Sequence, residues 1–179
     1  MTVDDTGTTP RVGVAMGSAS DLDVMIAAAE VLSTFDIPHE VRIVSAHRTP
    51  HHMSDYATTA AERGLEVIIA GAGGSAHLPG MLASETHLPV LGVAVGADHL
   101  NAAIGSQVRM PRGKPLAFMG SGPAGAANAA LFAARILAGR DDELARRYQQ
   151  FDRDLADEVM EADARLRALG PRDFLSQDG

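Results

Sequence analysis

The chain has 179 residues, 46% apolar and 21% charged, which is enough for a real core and too few charges for a disordered segment. A net charge of -8 argues against a general polyanion binder, although a small phosphate ligand needs only a local cluster of donors. The absence of cysteine excludes disulfide scaffolds and thiolate chemistry, and no apolar run is long enough to span a bilayer, so neither nucleic acid nor membrane is expected as a partner.

Residues 1–11 are polar and acidic, without the basic start and apolar middle of a signal peptide. They read as a disordered tail, and a cytoplasmic location is the expectation. Val12–Met16 is a short apolar run entering Gly17-Ser18-Ala19-Ser20-Asp21, the pattern of a buried strand feeding a helix. Ser20 is suited to cap that helix, with Asp21 near the positive end of its dipole. Val24, Ala28, Val31, Leu32 and Phe35 then share one helical face. Residues 41–44 make the second strand and Ser45-Ala46-His47-Arg48 a loop; Thr49 caps a helix whose first residue is Pro50, where a missing N–H costs nothing. Residues 67–70 make the third strand, followed by a long flexible glycine loop from Gly71 and a short helical stretch over 79–84. Residues 90–95 are the fourth strand, with a short helix at 100–107. The fifth strand, 115–119, meets Gly120-Ser121-Gly122, and a helix over 123–138 stops at Gly139.

Five strands alternating with helices predict an α/β domain over 12–139, a three-layer doubly wound parallel sheet. Ligands of such sheets bind beyond the C-terminal strand ends, where the serine and glycine loops fall. Residues 140–170 differ: they read as one long charged helix. On it Leu144, Tyr148, Phe151, Leu155, Val159, Ala162, Leu166 and Leu169 step by three or four in a narrow apolar stripe. A helix this long needs a partner surface, and an oligomer contact is the expectation. Residues 171–179 read as a tail.

Three motifs carry chemistry. The Gly17-Ser18-Ala19-Ser20-Asp21 loop can cradle a phosphate or sugar at a helix N-terminus, and read alone it is equally well a plain capped turn. It has neither the Gly-Lys-Ser/Thr ending of a P-loop nor the dinucleotide glycine pattern. In Ser45-Ala46-His47-Arg48-Thr49-Pro50, adjacent histidine and arginine offer a proton carrier near neutral pH and an anion clamp. His47 and His51 have metal-compatible spacing, but no acidic motif accompanies them, so no metal site is expected; His51 and His52 read as solvated. The loop Gly71 to Gly80 has glycines that permit close backbone approach to a planar ring and includes His77, although turn requirements alone also explain it. No Gly-x-Ser-x-Gly elbow supports a serine hydrolase, and His39, His87 and His99 have no recognisable context.

Together, MGSASD (Met16 to Asp21), SAHRTP (Ser45 to Pro50), AGAGGSAHLPGM (Ala70 to Met81), LPVLGV (Leu88 to Val93), the Arg109-Met110-Pro111 turn and AGAANAALFAARIL (Ala124 to Leu137) resemble the class I N5-carboxyaminoimidazole ribonucleotide mutase family, also called the phosphoribosylaminoimidazole carboxylase catalytic subunit. The resemblance implies a flavodoxin-like or Rossmann-like doubly wound fold, a homo-octamer, a phosphoribosyl aminoimidazole as small-molecule substrate, and no metal or organic cofactor. It implies an isomerase of de novo purine biosynthesis. The substrate's carbamate is lost as carbon dioxide in a closed pocket, ring carbon 4 recaptures it, and a histidine handles the proton. The matching histidine is His47, with His77 as a second catalytic candidate. Ser18, Ser20, Asp21, Ser45 and Arg48 match phosphate and ribose contacts, beside Gly17 and Ala46 of the same loops. Gly73, Gly74, Ser75, His77 and Leu78 match the loop over the imidazole and carboxylate. An imidazole with a reference pKa of about 6.5 suits the proton transfer, and a trapped carbon dioxide requires that water be excluded.

Three stretches depart from the family pattern: Ala94-Val95-Gly96-Ala97 replaces a Pro-Val-Gln-Ser, the segment from Asp98 to Arg109 is shorter, and the C-terminal helix is longer. The first two are expected at the pocket wall or a subunit contact. The alternatives that this leaves open are a relative acting on another carboxylated, phosphorylated heterocycle, direct carboxylation of aminoimidazole ribonucleotide by carbon dioxide, and a non-catalytic nucleotide-binding module.

Overall fold

Five strands, β1 (Val12–Met16), β2 (His39–Ile43), β3 (Val67–Ala72), β4 (Val90–Ala94) and β5 (Ala117–Ser121), pair in parallel in the order β2-β1-β3-β4-β5. This is the flavodoxin-like, doubly wound order, whose switch point lies between β1 and β3. The computed structural model describes residues 9–96 and 100–177. The expected tail over 1–8, the departing residues Ala97 and Asp98, and His99 lie outside the described residues, as do 178–179. The chain divides into two compact units, Met1–Leu137 and Ala138–Gly179.

In the first unit, β1, β3 and β4 are buried along their whole lengths because helices cover both faces of the sheet. Side chains alternate between the faces. Ala15, Ile68, Ala70 and Ala94 point to a core completed by Met53, Tyr56, Leu78, Leu82 and Ala103 of α2 (Pro50–Thr59), α3 (His77–Glu85) and α4 (Leu100–Val108). On the opposite face α1 (Leu22–Thr34) lies close over β3: a Cβ built on Gly71 would sit 2.2 Å from the Met25 sulfur. α5 (Gly122–Ala138) buries an alanine-rich side through Ala126, Ala129, Ala130, Ala133 and Ala134.

Several boundaries differ from expectation. β3 runs two residues beyond Ala70, because Gly71 and Ala72 continue the ladder opposite Val93 and Ala94. The flexible loop expected over 71–80 therefore shrinks to 73–76. β2 starts at His39, opposite Val12, and ends before Val44. β5 starts at Ala117 rather than Pro115, whose nitrogen cannot donate to a ladder. The tail expected through Arg11 is docked from Pro10 onward. Pro10 is buried, the Arg11 N–H donates to the Pro38 carbonyl at 2.8 Å, and the Arg11 guanidinium meets Glu66 at 2.6 Å.

In the second unit, α6 (Asp142–Leu169) is capped by the Asp141 carboxylate, which accepts from the Leu144 N–H at 3.1 Å. Its stripe is buried at Leu144 and Tyr148 and exposed at Leu155, Val159 and Leu166. The expected C-terminal tail is instead a helix over most of its length. Pro171 opens α7 (Pro171–Gln177), and Phe174 packs under the Arg165 guanidinium, 5.3 Å from its ring centroid.

Candidate active site

Three loops leave the C-terminal ends of β1, β2 and β3 and enclose a cleft of about 570 Å³, within the usual range for small-ligand sites. Every residue singled out from the sequence for the site lines it: Gly17, Ser18, Ser20 and Asp21 from the first loop, Ser45, Ala46, His47 and Arg48 from the second, Gly73, Gly74, Ser75, His77 and Leu78 from the third. Ala72 and Ala76 also line it and were not singled out from the sequence, although they fall within the matching glycine-rich stretch.

The first loop corrects one assignment. The N-cap position of α1 is Asp21, which makes no side-chain cap bond, and the short 3-10 turn ahead of it is capped not by Ser20 but by Ser18. The Ser18 side chain accepts from the Ser20 N–H, and the Asp21 carboxylate reaches back to accept from the Ser18 N–H at 3.0 Å. This reciprocal pair closes a single 3-10 turn, Ala19–Asp21, ahead of α1. The Ser20 hydroxyl donates to Ser18 Oγ at 3.0 Å. Asp21 is 9% exposed, and burial raises its carboxyl above the ordinary value of 3.8 against the opposing pull of the Ser18 and Gly17 backbone and the Arg48 charge.

That direction has a consequence for stability. An acid whose pKa is higher folded than unfolded binds its proton more tightly when folded. Its contribution is therefore fully present below the unfolded value and is lost as pH rises through the folded one. Asp21→Asn, which keeps an acceptor for the Ser18 N–H, is accordingly expected to raise the melting temperature at pH 7, with the gain shrinking below pH of about 4. Thermal melts of both proteins at the two pH values check this; an equal or lower melting temperature for the variant at pH 7 contradicts it.

In the second loop, Thr49 holds the N-cap position of α2, but its hydroxyl donates to the Ser45 carbonyl at 3.1 Å instead of capping the helix. Pro50 occupies the first turn as expected. The Arg48 guanidinium donates to the Gly17 carbonyl at 2.8 Å and to Ser45 Oγ at 3.3 Å, which ties the first two loops together. Its planar fork carries more N–H donors than these two bonds use.

The third loop is short and sharply turned. A Cβ on Gly73 would fall 2.8 Å from the Val95 carbonyl oxygen, so only glycine lets the loop lie on the chain that leaves β4. The departing segment touches the third loop here, from behind, and Val95 itself does not line the cleft. Gly74 has φ +59, and Ala76, with φ 47 and ψ 48, is left-handed although it carries a Cβ. The turn launches α3 at His77 and brings His77 Nδ1 to 3.0 Å from His47 Nε2, with the rings edge-to-face at 86° and 5.1 Å between centroids. One N–H must lie between these nitrogens, so a proton on either ring can pass to the other.

His51 and His52 are exposed on α2, and His39 Nδ1 lies 2.9 Å from the Ile37 carbonyl oxygen, away from the cleft. Among the described residues no group of three or more histidine or acidic side chains could hold a metal ion, and no helix is long and apolar enough to cross a membrane. The cleft thus brings together two imidazoles in contact, a guanidinium and a serine-rich helix start. That combination can hold an anion while moving a proton.

Comparisons with known proteins agree on one group. The family model described as AIR carboxylase matches residues 11–158. The chain is 51% identical to the N5-carboxyaminoimidazole ribonucleotide mutase of Thermotoga maritima over 170 residues, covering 94% of this chain and 98% of that protein. It is 54% identical to the mutase of the same name from Mycobacterium tuberculosis over 165 residues, covering 91% and 94%. Among solved structures, Treponema denticola PurE superimposes with a TM-score of 0.79 at 32% identity, covering 88% of this chain and 98% of that one.

Proposed function

The chain belongs to the AIR carboxylase family, and from that premise we propose that it converts N5-carboxyaminoimidazole ribonucleotide to 4-carboxy-5-aminoimidazole ribonucleotide, an isomerisation in purine biosynthesis. The observation that carries this reading is the 3.0 Å approach of His47 to His77 inside a cleft that is also lined by Arg48 and the capped Ser18 loop. The chemistry asks for that pairing. The carbamate N–C bond breaks, its electron pair stays with the exocyclic nitrogen, and that nitrogen takes a proton. Ring carbon 4 then forms a bond to the released carbon dioxide and gives up its own proton. No net proton is consumed, so one imidazole that lends and recovers a proton completes the cycle, and His47 is assigned that role with His77 as its relay partner. Arg48, Ser18, Ser20 and Asp21 are assigned the phosphate and ribose, Ser45, Gly17 and Ala46 frame them, and Gly73, Gly74, Ser75 and Leu78 cover the ring and carboxylate. No metal or organic cofactor enters the scheme, and a biosynthetic enzyme of this kind operates in the cytoplasm.

The test is direct. Incubation with N5-carboxyaminoimidazole ribonucleotide, followed by ultraviolet absorbance, is expected to show ring carboxylation. Formation of product only from aminoimidazole ribonucleotide with bicarbonate would reassign the enzyme as a direct carboxylase, and no product from either substrate would refute both.

The assembly belongs to the same proposal. We assign the protein a homo-oligomer, an octamer by family resemblance, with α6 as a subunit contact. Leu155 is 44% exposed and Val159 67% exposed in the single chain, and burying each large apolar side chain is worth about 1.5–3 kcal/mol. Light scattering of the full chain is expected to give a multiple of the protomer mass, and deletion of the residues after Gly139 to break or shrink it. An undiminished assembly in the truncated protein removes α6 from the contact, and a monomer at micromolar concentration removes the oligomer altogether.

A further inference from the structure

Ser106 lies on α4, outside the three loops that build the cleft, yet its Oγ is 3.3 Å from the carbonyl oxygen of Ala76 and 3.1 Å from that of Ala103. A hydroxyl has one proton to give, so the two carbonyls compete for it. The Ala103 oxygen is already occupied. It is the helical acceptor for the Gln107 N–H one turn on, and it accepts from Gln107 Nε2 at 3.2 Å. The Ala76 oxygen, at the N-cap position of α3, receives one helical donor and keeps a lone pair free. The Ser106 proton therefore belongs to Ala76.

Ala76 is where the site holds its backbone strain. It adopts the left-handed conformation that a Cβ disfavours, and it has no side-chain cap of its own. Besides the Ala76 N–H to Gly73 carbonyl bond at 3.0 Å and the helical donor of α3 on the Ala76 carbonyl, the side-chain hold on this turn comes from Ser106 of α4. His77 is the next residue, and its ring direction follows from the orientation of the peptide that joins it to Ala76.

We propose that Ser106 is a positioning residue, whose hydroxyl on the Ala76 carbonyl keeps the strained turn in place and so holds His77 against His47. The proposal deepens the functional reading given above, and its kinetic arm rests on that reading. Ser106 touches neither the first loop nor Arg48 in any hydrogen bond described, so its loss alters the histidine pair and spares the anion-holding residues.

The test compares Ser106→Ala and Ser106→Thr with the wild type. In protein labelled with nitrogen-15 at histidine and free of substrate, the ring-nitrogen resonances of His47 and His77 are expected to shift in Ser106→Ala and to return toward wild type in Ser106→Thr, which restores a hydroxyl. In turnover of N5-carboxyaminoimidazole ribonucleotide, Ser106→Ala is expected to lower kcat about tenfold with KM within about twofold, the scale of one lost positioning hydrogen bond. Unshifted resonances in Ser106→Ala overturn the proposal, as does a threonine variant as impaired as the alanine one. If the wild type itself turns over no substrate, the functional reading fails, and the resonances still decide whether Ser106 orients the pair.

Discussion

His47→Asn is expected to lower kcat by about 10²–10⁴-fold while leaving the substrate Kd nearly unchanged, the range that general acid–base groups contribute. His47 stands exposed on a loop at the end of β2, so its replacement removes no core packing. Asparagine is polar and smaller, so the loop accommodates it, although its amide does not reach the place of His47 Nε2, 3.0 Å from His77 Nδ1. What it cannot do is bind and release a proton near neutral pH. The signature is therefore a protein that folds, binds ligand by calorimetric titration and fails to turn it over. His77→Asn, measured alongside, separates the roles: a relay partner costs less than the residue that meets the substrate. If His47→Asn keeps a large part of its turnover while His77→Asn loses it, the assignments are reversed.

Arg48→Ala is expected to raise KM by about 10–100-fold with a smaller change in kcat, the scale of one or more charge-assisted hydrogen bonds to an anion. Two effects combine. The variant loses the fork proposed for the 5'-phosphate, and it releases the bridge from the Gly17 carbonyl to Ser45 Oγ that holds the first two loops in register. Arg48→Lys distinguishes them. It keeps the charge and loses the planar fork, so a partial recovery of KM measures the electrostatic share. An unchanged KM in Arg48→Ala, or a bound phosphate found away from Arg48 and the Ser18 turn, refutes the assignment.

Much of this molecule is legible in its sequence for identifiable reasons. The period of apolar runs, each ending in glycine or serine before a helical pattern, specifies alternating strands and helices. That alternation in turn demands a parallel sheet with its loops at one end. The position of the site follows from this, since the loops after β1, β2 and β3 lie at one end of the sheet; which of their residues serve a ligand was implied by the family resemblance. The errors are equally instructive. The third strand was expected to end at Ala70 because glycine in a strand reads as a breaker. Gly71 in fact lies inside β3, paired with Val93, where a Cβ would meet the Met25 sulfur at 2.2 Å. Ser20 was expected to cap, because a good cap residue stood next to a helical pattern. In the structure Asp21 reaches back to the Ser18 N–H and closes a 3-10 turn ahead of α1, so the cap falls on Ser18. Residues 171–179 were expected to be a tail, whereas α7 forms over most of them, with Phe174 against the Arg165 guanidinium.

What the sequence determined by itself is therefore everything set by local pattern and chain order: the class of fold, the position of the cleft, and the chemical types gathered there. What only the tertiary structure decided is set by contacts between segments far apart in the chain. The 3.0 Å meeting of His47 with His77 joins residues thirty positions apart, and the hold of Ser106 on the left-handed Ala76 spans the same distance in sequence. Neither pairing leaves a periodic trace, because a hydrogen bond between two loops requires no repeat in either. The strain at Ala76 is invisible for the same reason: alanine is locally suited to a helix, and its left-handed conformation, which its own side chain disfavours, goes with contacts that include one from α4.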